Sequence, residues 1–359
     1  MRPQGRTTRR TVDDQGGITV TLRVGLVGCG TVARRVHLPG LRAAGIDVVA
    51  FASRSRRSAE AAMREWGSGR VVDDWHEVLE HPEVDAVDVC APNANHEEIA
   101  IAAAAAGKHV LVEKPMACSV EGADRMLEAA DRAGILLMPA HNARFGRPYG
   151  AMRLAVDRGD IGQVCAFRCA WGHSGPEHWA PDAGWFRDSA TSGGGALIDL
   201  GVHIADVLRW VLGDEVSAVS AMLWPGTKNG DHPVDQVEDL AELLVRFSRG
   251  AIGSIQASWA VAAGADHQLT VQGTEGTLHL DDRTPPMLIR AGSTPVPLEL
   301  PERSPGVFES FASAIEQGHP PAVTAADGRA AVALVAAAYR SAVSGCVERL
   351  DANVEGRGW

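Results

Sequence analysis

Short apolar runs alternate with longer amphipathic stretches through about the first 145 residues of the chain. The apolar runs predict strands at 22–27, Asp47–Ala52, Ala86–Cys90, His109–Val112 and Ile135–Ala140. The amphipathic stretches predict helices at Ser55–Trp66, Asn95–Ala106 and Ser119–Ala133. Strands that alternate with helices of about 10 to 15 residues are typical of a doubly wound parallel sheet, so the first part of the chain is predicted to be α/β.

The pattern then changes to successive strands joined by short turns. These strands are predicted at Gln163–Trp171, Val216–Trp224, Leu240–Phe247, Ala251–Ala260, Gln268–Gln272 and Thr277–Leu280. They predict an antiparallel sheet, with a helix at Asp199–Leu212 on one face and a last helix at Thr324–Ser344. Because the other face of such a sheet needs a partner or a polar surface, the apolar run ASWAVAA at 257–263 predicts an oligomer.

Length, charge and cysteine content narrow the class of protein. The chain has 359 residues, more than the roughly 250 to 300 at which one core stops growing, so two domains are expected. A formal charge of −11 has the wrong sign for binding nucleic acid or an anionic membrane. No apolar run approaches the ~20 residues that span a bilayer. The six cysteines form no CxxC pair, so we expect no metal site and no disulfide framework, and a reducing cytoplasm as the location.

A glycine-rich turn joins the first predicted strand to the first helix. Gly28 permits the tight turn, Gly30 lets the backbone approach a pyrophosphate, and Ala33 lets the helix pack closely. Thr31 and Val32 open the helix, whose free N–H groups face the anion. The turn therefore predicts dinucleotide binding.

The end of the second predicted strand bears on which dinucleotide binds. An NAD site usually has an acid there to accept hydrogen bonds from the ribose 2′-OH. This chain has Ser53, Arg54 and Arg57 instead, which can bind and neutralise a 2′-phosphate. The cofactor is therefore predicted as NAD(P), with NADP favoured over NAD.

Glu113, Lys114 and Pro115 follow the strand His109–Val112, where the carboxyl ends of parallel strands meet the ligand crevice. Only three of the 34 basic residues are lysines, so the chain builds its positive surface almost wholly from arginine. A lysine at a strand end is then a candidate for hydrogen bonding to a substrate oxygen.

A triple glycine, Gly193–Gly195, precedes the predicted helix that carries Asp199 and His203. Residues four apart share one helix face, so these two side chains are expected together. A histidine can take a hydroxyl proton near neutral pH, and a carboxylate can orient it or hold a sugar.

Three tryptophans, Trp171, Trp179 and Trp185, lie close together in the sequence beside the acids Glu177 and Asp182. Flat rings with carboxylates between them suit the face of a sugar or cyclitol ring, and the acids admit an amino sugar. The alternative is that these aromatic rings only anchor a loop.

Taken together, GCGTVA, APNANH at 91–96, EKP and GGGALIDLGVHIAD resemble the Gfo/Idh/MocA family of NAD(P)-dependent oxidoreductases, from about Leu22 to about Leu350. The resemblance implies an N-terminal Rossmann domain followed by an α/β domain with an open, mostly antiparallel sheet. It also implies pairing into homodimers or homotetramers. On this basis we expect a flexible leader at 1–20, a dinucleotide-binding domain at 21–142 and a substrate-binding and oligomerisation domain at 143–359.

The resemblance also implies roles for single residues. Lys114 would be the catalytic lysine, followed by a cis peptide bond before Pro115, while Asp199 would bind substrate and His203 would be the catalytic histidine.

A loop would line the nicotinamide pocket through Pro92, Asn93 and His96. The missing acid after the second strand departs from the NAD-preferring branch of the family.

The predicted reaction is hydride transfer between nicotinamide and a secondary alcohol or ketone of a sugar, amino sugar or cyclitol. His203 would take the hydroxyl proton, Lys114 would hydrogen-bond the same oxygen and Asp199 would position the ring. Two alternatives are an NAD-dependent glycosidase that oxidises its substrate transiently, and a noncatalytic cofactor-binding sensor.

Overall fold

The computed structural model describes residues 10–12, 18–20, 22–180, 184–225, 237–262, 265–303 and 305–350. Within the predicted leader it contains the strands β1 (Arg10–Val12) and β2 (Ile18–Val20), which pair antiparallel. The other residues of the predicted leader, and Asp182, lie outside the described residues.

Two compact units make up the chain, and neither is one continuous segment. The first comprises 1–113, 124–140 and 305–325, and the second comprises 114–123, 141–304 and 326–359. The units thus differ from the contiguous domains expected from the sequence in three segments, 114–123, 141–142 and 305–325. Lys114 consequently belongs to the second unit, together with Asp199 and His203.

The first unit contains a six-stranded sheet in which every strand pair is parallel. Its strands are β3 (Arg23–Val27), β4 (Asp47–Ala52), β5 (Arg70–Val72), β6 (Ala86–Val89), β7 (His109–Val112) and β8 (Leu137–Pro139), in the spatial order β5-β4-β3-β6-β7-β8. The helices that alternate with them are α1 (Leu38–Ala43), α2 (Arg56–Trp66), α3 (His76–Glu80), α4 (His96–Ala105) and α5 (Val120–Ala133). This is the predicted doubly wound Rossmann architecture, whose central strands are buried on both faces.

The second unit contains a nine-stranded, mostly antiparallel sheet in its described part, which confirms the predicted open sheet. Its strands are β9 (Val164–His173), β10 (Val216–Trp224), β11 (Leu240–Phe247), β12 (Ile252–Ser258), β13 (Ala265–Gly273), β14 (Thr277–Asp281), β15 (Met287–Ile289), β16 (Val296–Pro297) and β17 (Glu348–Arg349). Their spatial order is β16-β15-β14-β13-β9-β12-β11-β10-β17. Only β9 and β12 pair in parallel, which the long connection between them allows.

The later helices include three that the pattern did not predict, α6, α7 and α9. In chain order they are α6 (Arg147–Asp157), α7 (Ser189–Ser192), α8 (Val202–Leu212), α9 (Val307–Gln317) and α10 (Ala325–Ser344), with α9 grouped in the first unit. In the described part of the chain, no helix is both long and apolar enough to cross a membrane.

The sheet of the second unit buries one face and exposes the other. Along β11 the side chains of Leu243 and Val245 are buried in the core, while those of Leu244 and Arg246 point away from it. This alternation is the signature of an antiparallel sheet covered on one side.

The expectation that ASWAVAA supplies the apolar open face is wrong. Ala257, near the end of β12, and Trp259, directly after that strand, are completely buried in the core of their own unit. The apolar side chains that are exposed belong to other positions, including Met222, Leu244 and Ile252.

Candidate active site

The glycine turn after β3 has the geometry that a dinucleotide site requires. Gly28 has φ +93°, and a Cβ there would lie 2.4 Å from the backbone carbon of Cys90. A Cβ on Gly30 would meet nothing within 4 Å, so the space above this glycine is open. Thr31 and Val32 are half-buried at the start of the helix. These residues fit a pyrophosphate that approaches the backbone at Gly30.

The residues after β4 form an exposed basic segment. Ser53 is half-buried, whereas Arg54 and Arg57 are exposed and form no ion pair within the described residues. Ser55 caps α2, because its Oγ accepts a hydrogen bond of 3.3 Å from the N–H of Ser58. The cap fixes where the helix starts and therefore where the arginine side chains emerge.

The loop after β6 holds its polar side chains inward. His96 is completely buried, and its Nε2 donates a hydrogen bond of 2.7 Å to the carbonyl oxygen of Ala91. Asn93 is also buried and Pro92 is half-buried. The His96 ring thus helps to hold the shape of the loop that is predicted to line the nicotinamide pocket.

A buried histidine in the first unit contacts two carboxylates. His37 lies at the end of a π-helical turn, Ala33–His37, and its ring has no exposed surface. Its Nδ1 is 2.8 Å from an oxygen of Asp88, and its Nε2 is 2.7 Å from an oxygen of Glu113. Burial alone would lower the pKa of His37, but the charge of Asp88, the interaction with Cys90 and the hydrogen bonds to both together raise that pKa well above its ordinary value.

The same cluster includes Cys90, and the sequence pattern did not predict this cluster. His37, Asp88 and Cys90 place potential metal-ligand atoms within 4.8 Å of one another. Burial raises the pKa of the Cys90 thiol, which keeps it protonated and a poor ligand. The available signal was Asp88, a single acid in the otherwise apolar strand β6.

Lys114 and Asp199 form a close ion pair within the second unit. The Lys114 ammonium donates to Asp199 Oδ1 at 2.7 Å and to the Asp199 backbone carbonyl at 3.0 Å. The peptide bond between Lys114 and Pro115 is cis, as predicted. The sequence thus identified two side chains, 85 residues apart, that meet in the structure.

Asp199 lies on a π-helical turn, Leu197–Gly201, that leads directly into α8. The prediction that the helix starts at Asp199 is therefore wrong, because regular α-helix starts at Val202.

The triple glycine before this turn is packed against two residues that the sequence pattern did not predict. A Cβ on Gly195 would lie 2.0 Å from the Glu238 carbonyl oxygen, and one on Gly194 would lie 2.0 Å from the Tyr339 hydroxyl.

Glu238 anchors the start of this helical segment. Its carboxylate accepts hydrogen bonds from the N–H of Gly195 at 3.1 Å, the N–H of Leu197 at 2.8 Å and the hydroxyl of Tyr339 at 2.9 Å. It therefore satisfies N–H groups that a helix start leaves without an internal partner. The anchored turn sets the position of Asp199.

Three donors surround the carboxylate of Asp199, which is a buried residue. Besides Lys114, the indole N–H of Trp259 donates to Oδ2 at 3.0 Å, and His173 Nε2 lies 3.5 Å from the same oxygen. Burial alone would raise the pKa of Asp199, but the charge of Lys114 and the hydrogen bonds from His173 and Lys114 hold that pKa well below its ordinary value. Asp199 is therefore an anion at neutral pH.

His203 lies four residues beyond Asp199, among aromatic rings. Its ring centre is 5.7 Å from that of Trp171 and 6.3 Å from that of His141. His203 is partly exposed, whereas Trp171 is buried. One of the three predicted tryptophans thus contacts the predicted catalytic histidine.

The other two predicted tryptophans pack around a phenylalanine. Trp185 stacks on Phe186 with ring centres 3.9 Å apart, and Trp179 meets the same ring edge-on at 5.2 Å. The ring centres of Phe186 and Trp259 are 6.4 Å apart, so this aromatic group is linked to a residue that lies beside Asp199.

Comparison with known proteins agrees with this geometry. A family model described as "Oxidoreductase family, NAD-binding Rossmann fold" matches residues 22–141, and one described as "GFO/IDH/MocA C-terminal domain" matches 149–279. The chain belongs to the Gfo/Idh/MocA family. Its first unit contains an NAD-binding Rossmann domain, and the protein is an oxidoreductase.

Individual relatives of this family member match over nearly their whole length. The 1,5-anhydro-D-fructose reductase of Ensifer adhaerens is 33% identical over 92% of this chain and 98% of that protein. The myo-inositol 2-dehydrogenase of Thermotoga maritima is 30% identical over 89% of this chain and 96% of that protein. A crystal structure of GenD2 from gentamicin A biosynthesis, in complex with NAD, is similar with a TM-score of 0.80 and 32% identity, covering 98% of this chain and 100% of that one.

Proposed function

We propose that the protein transfers hydride reversibly between a nicotinamide cofactor and a secondary alcohol or ketone of a sugar, amino sugar or cyclitol. The observation that carries this proposal is the buried pairing of Lys114 with Asp199, on the helical segment that also bears His203. The names of the two curated relatives, an anhydrofructose reductase and an inositol dehydrogenase, support this class of substrate.

Each member of the trio has a distinct proposed role. His203 takes the proton of the substrate hydroxyl, and Lys114 donates a hydrogen bond to the same oxygen. When bound, the nicotinamide accepts or supplies the hydride. Asp199 was expected to position the substrate ring, but both of its carboxylate oxygens are engaged by side chains of the protein itself. We propose that Asp199 instead holds the Lys114 ammonium in place.

The exposed basic segment supports NADP as the preferred cofactor, with NAD also accepted. Arg54 and Arg57 carry charge that no acid within the described residues neutralises, and Ser53 adds a hydroxyl beside them. A 2′-phosphate would gain charge-assisted hydrogen bonds from these groups. The proposed cofactor residues are Gly28, Gly30, Thr31, Val32, Ser53, Arg54, Arg57, Pro92, Asn93, His96, Glu113 and Lys114.

Among the proposed substrates, a ring that carries an amine is the first candidate. GenD2 is named for the biosynthesis of gentamicin A, and this chain is strongly acidic, with a formal charge of −11. Trp171 contacts His203 and supports binding of a ring face, whereas Trp179 and Trp185 would act through Phe186. No observation favours the glycosidase or the noncatalytic sensor over this reaction.

The exposed apolar side chains, the net charge and the cysteines bear on the assembly, partners and location of the enzyme. We propose a homodimer or homotetramer formed through the open face of the second sheet, where Met222, Leu244 and Ile252 are exposed. Partners other than small molecules are not proposed, because the net charge opposes nucleic acid and anionic membranes. All six cysteines are free, in keeping with a cytoplasmic location.

The test is a panel of sugars, inositols and amino sugars, assayed by the absorbance of reduced nicotinamide with NAD and NADP in parallel. Steady accumulation of reduced cofactor with at least one ring alcohol is expected. Release of a sugar without net cofactor reduction would instead indicate the glycosidase.

A further inference from the structure

We propose that Trp259 is a positioning residue, whose indole N–H fixes the Asp199 carboxylate so that its other oxygen faces Lys114. This inference rests on the proposed function and adds a residue to it. Trp259 lies in the segment that the sequence analysis assigned to an exposed surface, yet its side chain is completely buried.

The geometry at Asp199 restrains the carboxylate at both oxygens. Trp259 donates to Oδ2 at 3.0 Å, and Lys114 donates to Oδ1 at 2.7 Å. A carboxylate bonded at one oxygen alone can rotate about its terminal torsion, which is broad and soft. With the indole bond in place, rotation would break a hydrogen bond in a buried site, where such losses are costly.

Trp259 is itself held on two sides. The guanidinium of Arg187 lies 4.9 Å from the centre of the indole ring, and it also bonds Asp239 and Glu177. The backbone N–H of Trp259 donates to the carbonyl oxygen of Asp239 at 2.7 Å. The indole is therefore rigid before it contacts Asp199, which is the condition for a residue to position another.

The indole donor at Oδ2 carries no charge. The other donor near this oxygen, His173, is itself held in place, because the N–H of Gly175 donates to His173 Nδ1 at 2.9 Å. The second oxygen of the carboxylate, Oδ1, is left to the Lys114 ammonium.

The first unit provides a control, because Trp66, although only half-buried, has the same two kinds of partner without the catalytic residues. Its indole N–H donates to Asp47 at 3.2 Å, and the guanidinium of Arg42 lies 4.7 Å from its ring centre. Trp66→Phe and Trp259→Phe therefore each remove an indole donor to a carboxylate.

The experiment is a double-mutant cycle of W259F and D199N, with kcat and KM measured for a substrate found in the panel. We expect W259F to lower kcat about tenfold to a hundredfold, as for loss of a hydrogen bond to a charged group, while W66F stays within about twofold of wild type. Because Trp259 acts through Asp199, W259F should have little further effect in the D199N background. Equal losses in both backgrounds, or an unchanged kcat in W259F, would overturn the proposal.

A second measurement does not depend on turnover. In ¹H–¹⁵N spectra of the indole groups, the Trp259 signal is assigned by its loss in W259F and then followed in D199N. A displaced Trp259 signal in D199N, with the Trp66 signal unmoved, supports the hydrogen bond to the carboxylate, and an unmoved Trp259 signal overturns it. If the wild type reduces neither cofactor with any ring alcohol, the proposed function fails, and this spectrum alone decides the contact.

Discussion

Each unit of the protein contains a buried cluster in which a cationic side chain meets carboxylates, and the two clusters differ in how they are closed. In the first unit, the side chains of His37 and Asp88 are 0% and 1% exposed, and Glu113 covers the other ring nitrogen. In the second unit, the Lys114 side chain is 17% exposed while Asp199 is 5% exposed. The His37 cluster is thus sealed around its cation, although the Glu113 side chain is 14% exposed, whereas the Lys114 cluster is open on its cationic side.

This difference separates stability from catalysis. A ring whose two nitrogens both contact carboxylates has no free position for a substrate, so the His37 cluster serves to join the first helix to β6 and to the end of β7. The Lys114 side chain still has exposed surface through which it can reach a substrate oxygen. We therefore expect changes at His37 to lower the free energy of unfolding, and changes around Lys114 to lower turnover.

The largest effect on turnover, outside Lys114 itself, is expected at His203. His203→Asn removes the proposed base, and general acid–base catalysis contributes typically 10²–10⁴-fold, so kcat should fall by about that factor. His267→Asn is the control, because its ring also contacts Trp171 but lies outside the proposed trio. A kcat in the His203 variant close to that of the control would contradict the role of the base.

The next effect concerns the sealed cluster. His37→Phe leaves Asp88 and Glu113 without their shared partner, and breaking a buried ion pair costs about 3–5 kcal/mol in the free energy of unfolding. Urea denaturation of the purified variant measures this loss. If the variant unfolds at the wild-type urea midpoint, the cluster does not stabilise the fold.

The pH dependence of the same cluster has a definite sign. The pKa of His37 is raised in the folded protein above its ordinary value of 6.5. Its contribution to stability is therefore complete below about pH 6.5 and is lost as pH rises through the folded-state pKa. The difference in unfolding free energy between wild type and His37→Gln should shrink from pH 6 to pH 9, and a difference that grows over this range would contradict the assignment.

The smallest expected effect is on cofactor choice, where the charges are exposed. Replacing both Arg54 and Arg57 by Ala should weaken NADP binding about tenfold and leave NAD binding within about twofold, since only NADP carries the 2′-phosphate. Titration of each cofactor by fluorescence measures both constants. Equal weakening of the two cofactors would show that these arginines do not read the 2′-phosphate.

The sequence predicted best what depends on local pattern. The bounds of β7, β10 and β11 agree with the predicted runs, because apolar periodicity reflects burial directly. Lys114 was predicted as a site residue because lysine is rare in this chain, which is rich in arginine. Both predictions need only the sequence around the feature itself and the composition of the chain.

What could not be predicted depends on pairing between distant segments. Trp259 lies 60 residues from Asp199, and an apolar run does not reveal which face of a sheet its side chains occupy. Glu238 bonds to Leu197 across 41 residues, and Tyr339 reaches Glu238 across 101. The assignment of 305–325 to the first unit likewise needs the fold itself.

The central claim is that the open cluster, and not the sealed one, carries the chemistry, and Lys114→Met tests it most directly. The measurement is the rate of cofactor reduction at saturating substrate, together with the affinity for the cofactor. We predict a loss of at least about a thousandfold in rate, about 4 kcal/mol of transition-state stabilisation, with a far smaller change in cofactor affinity. A Lys114→Met enzyme that reduces its cofactor at the wild-type rate would contradict the account.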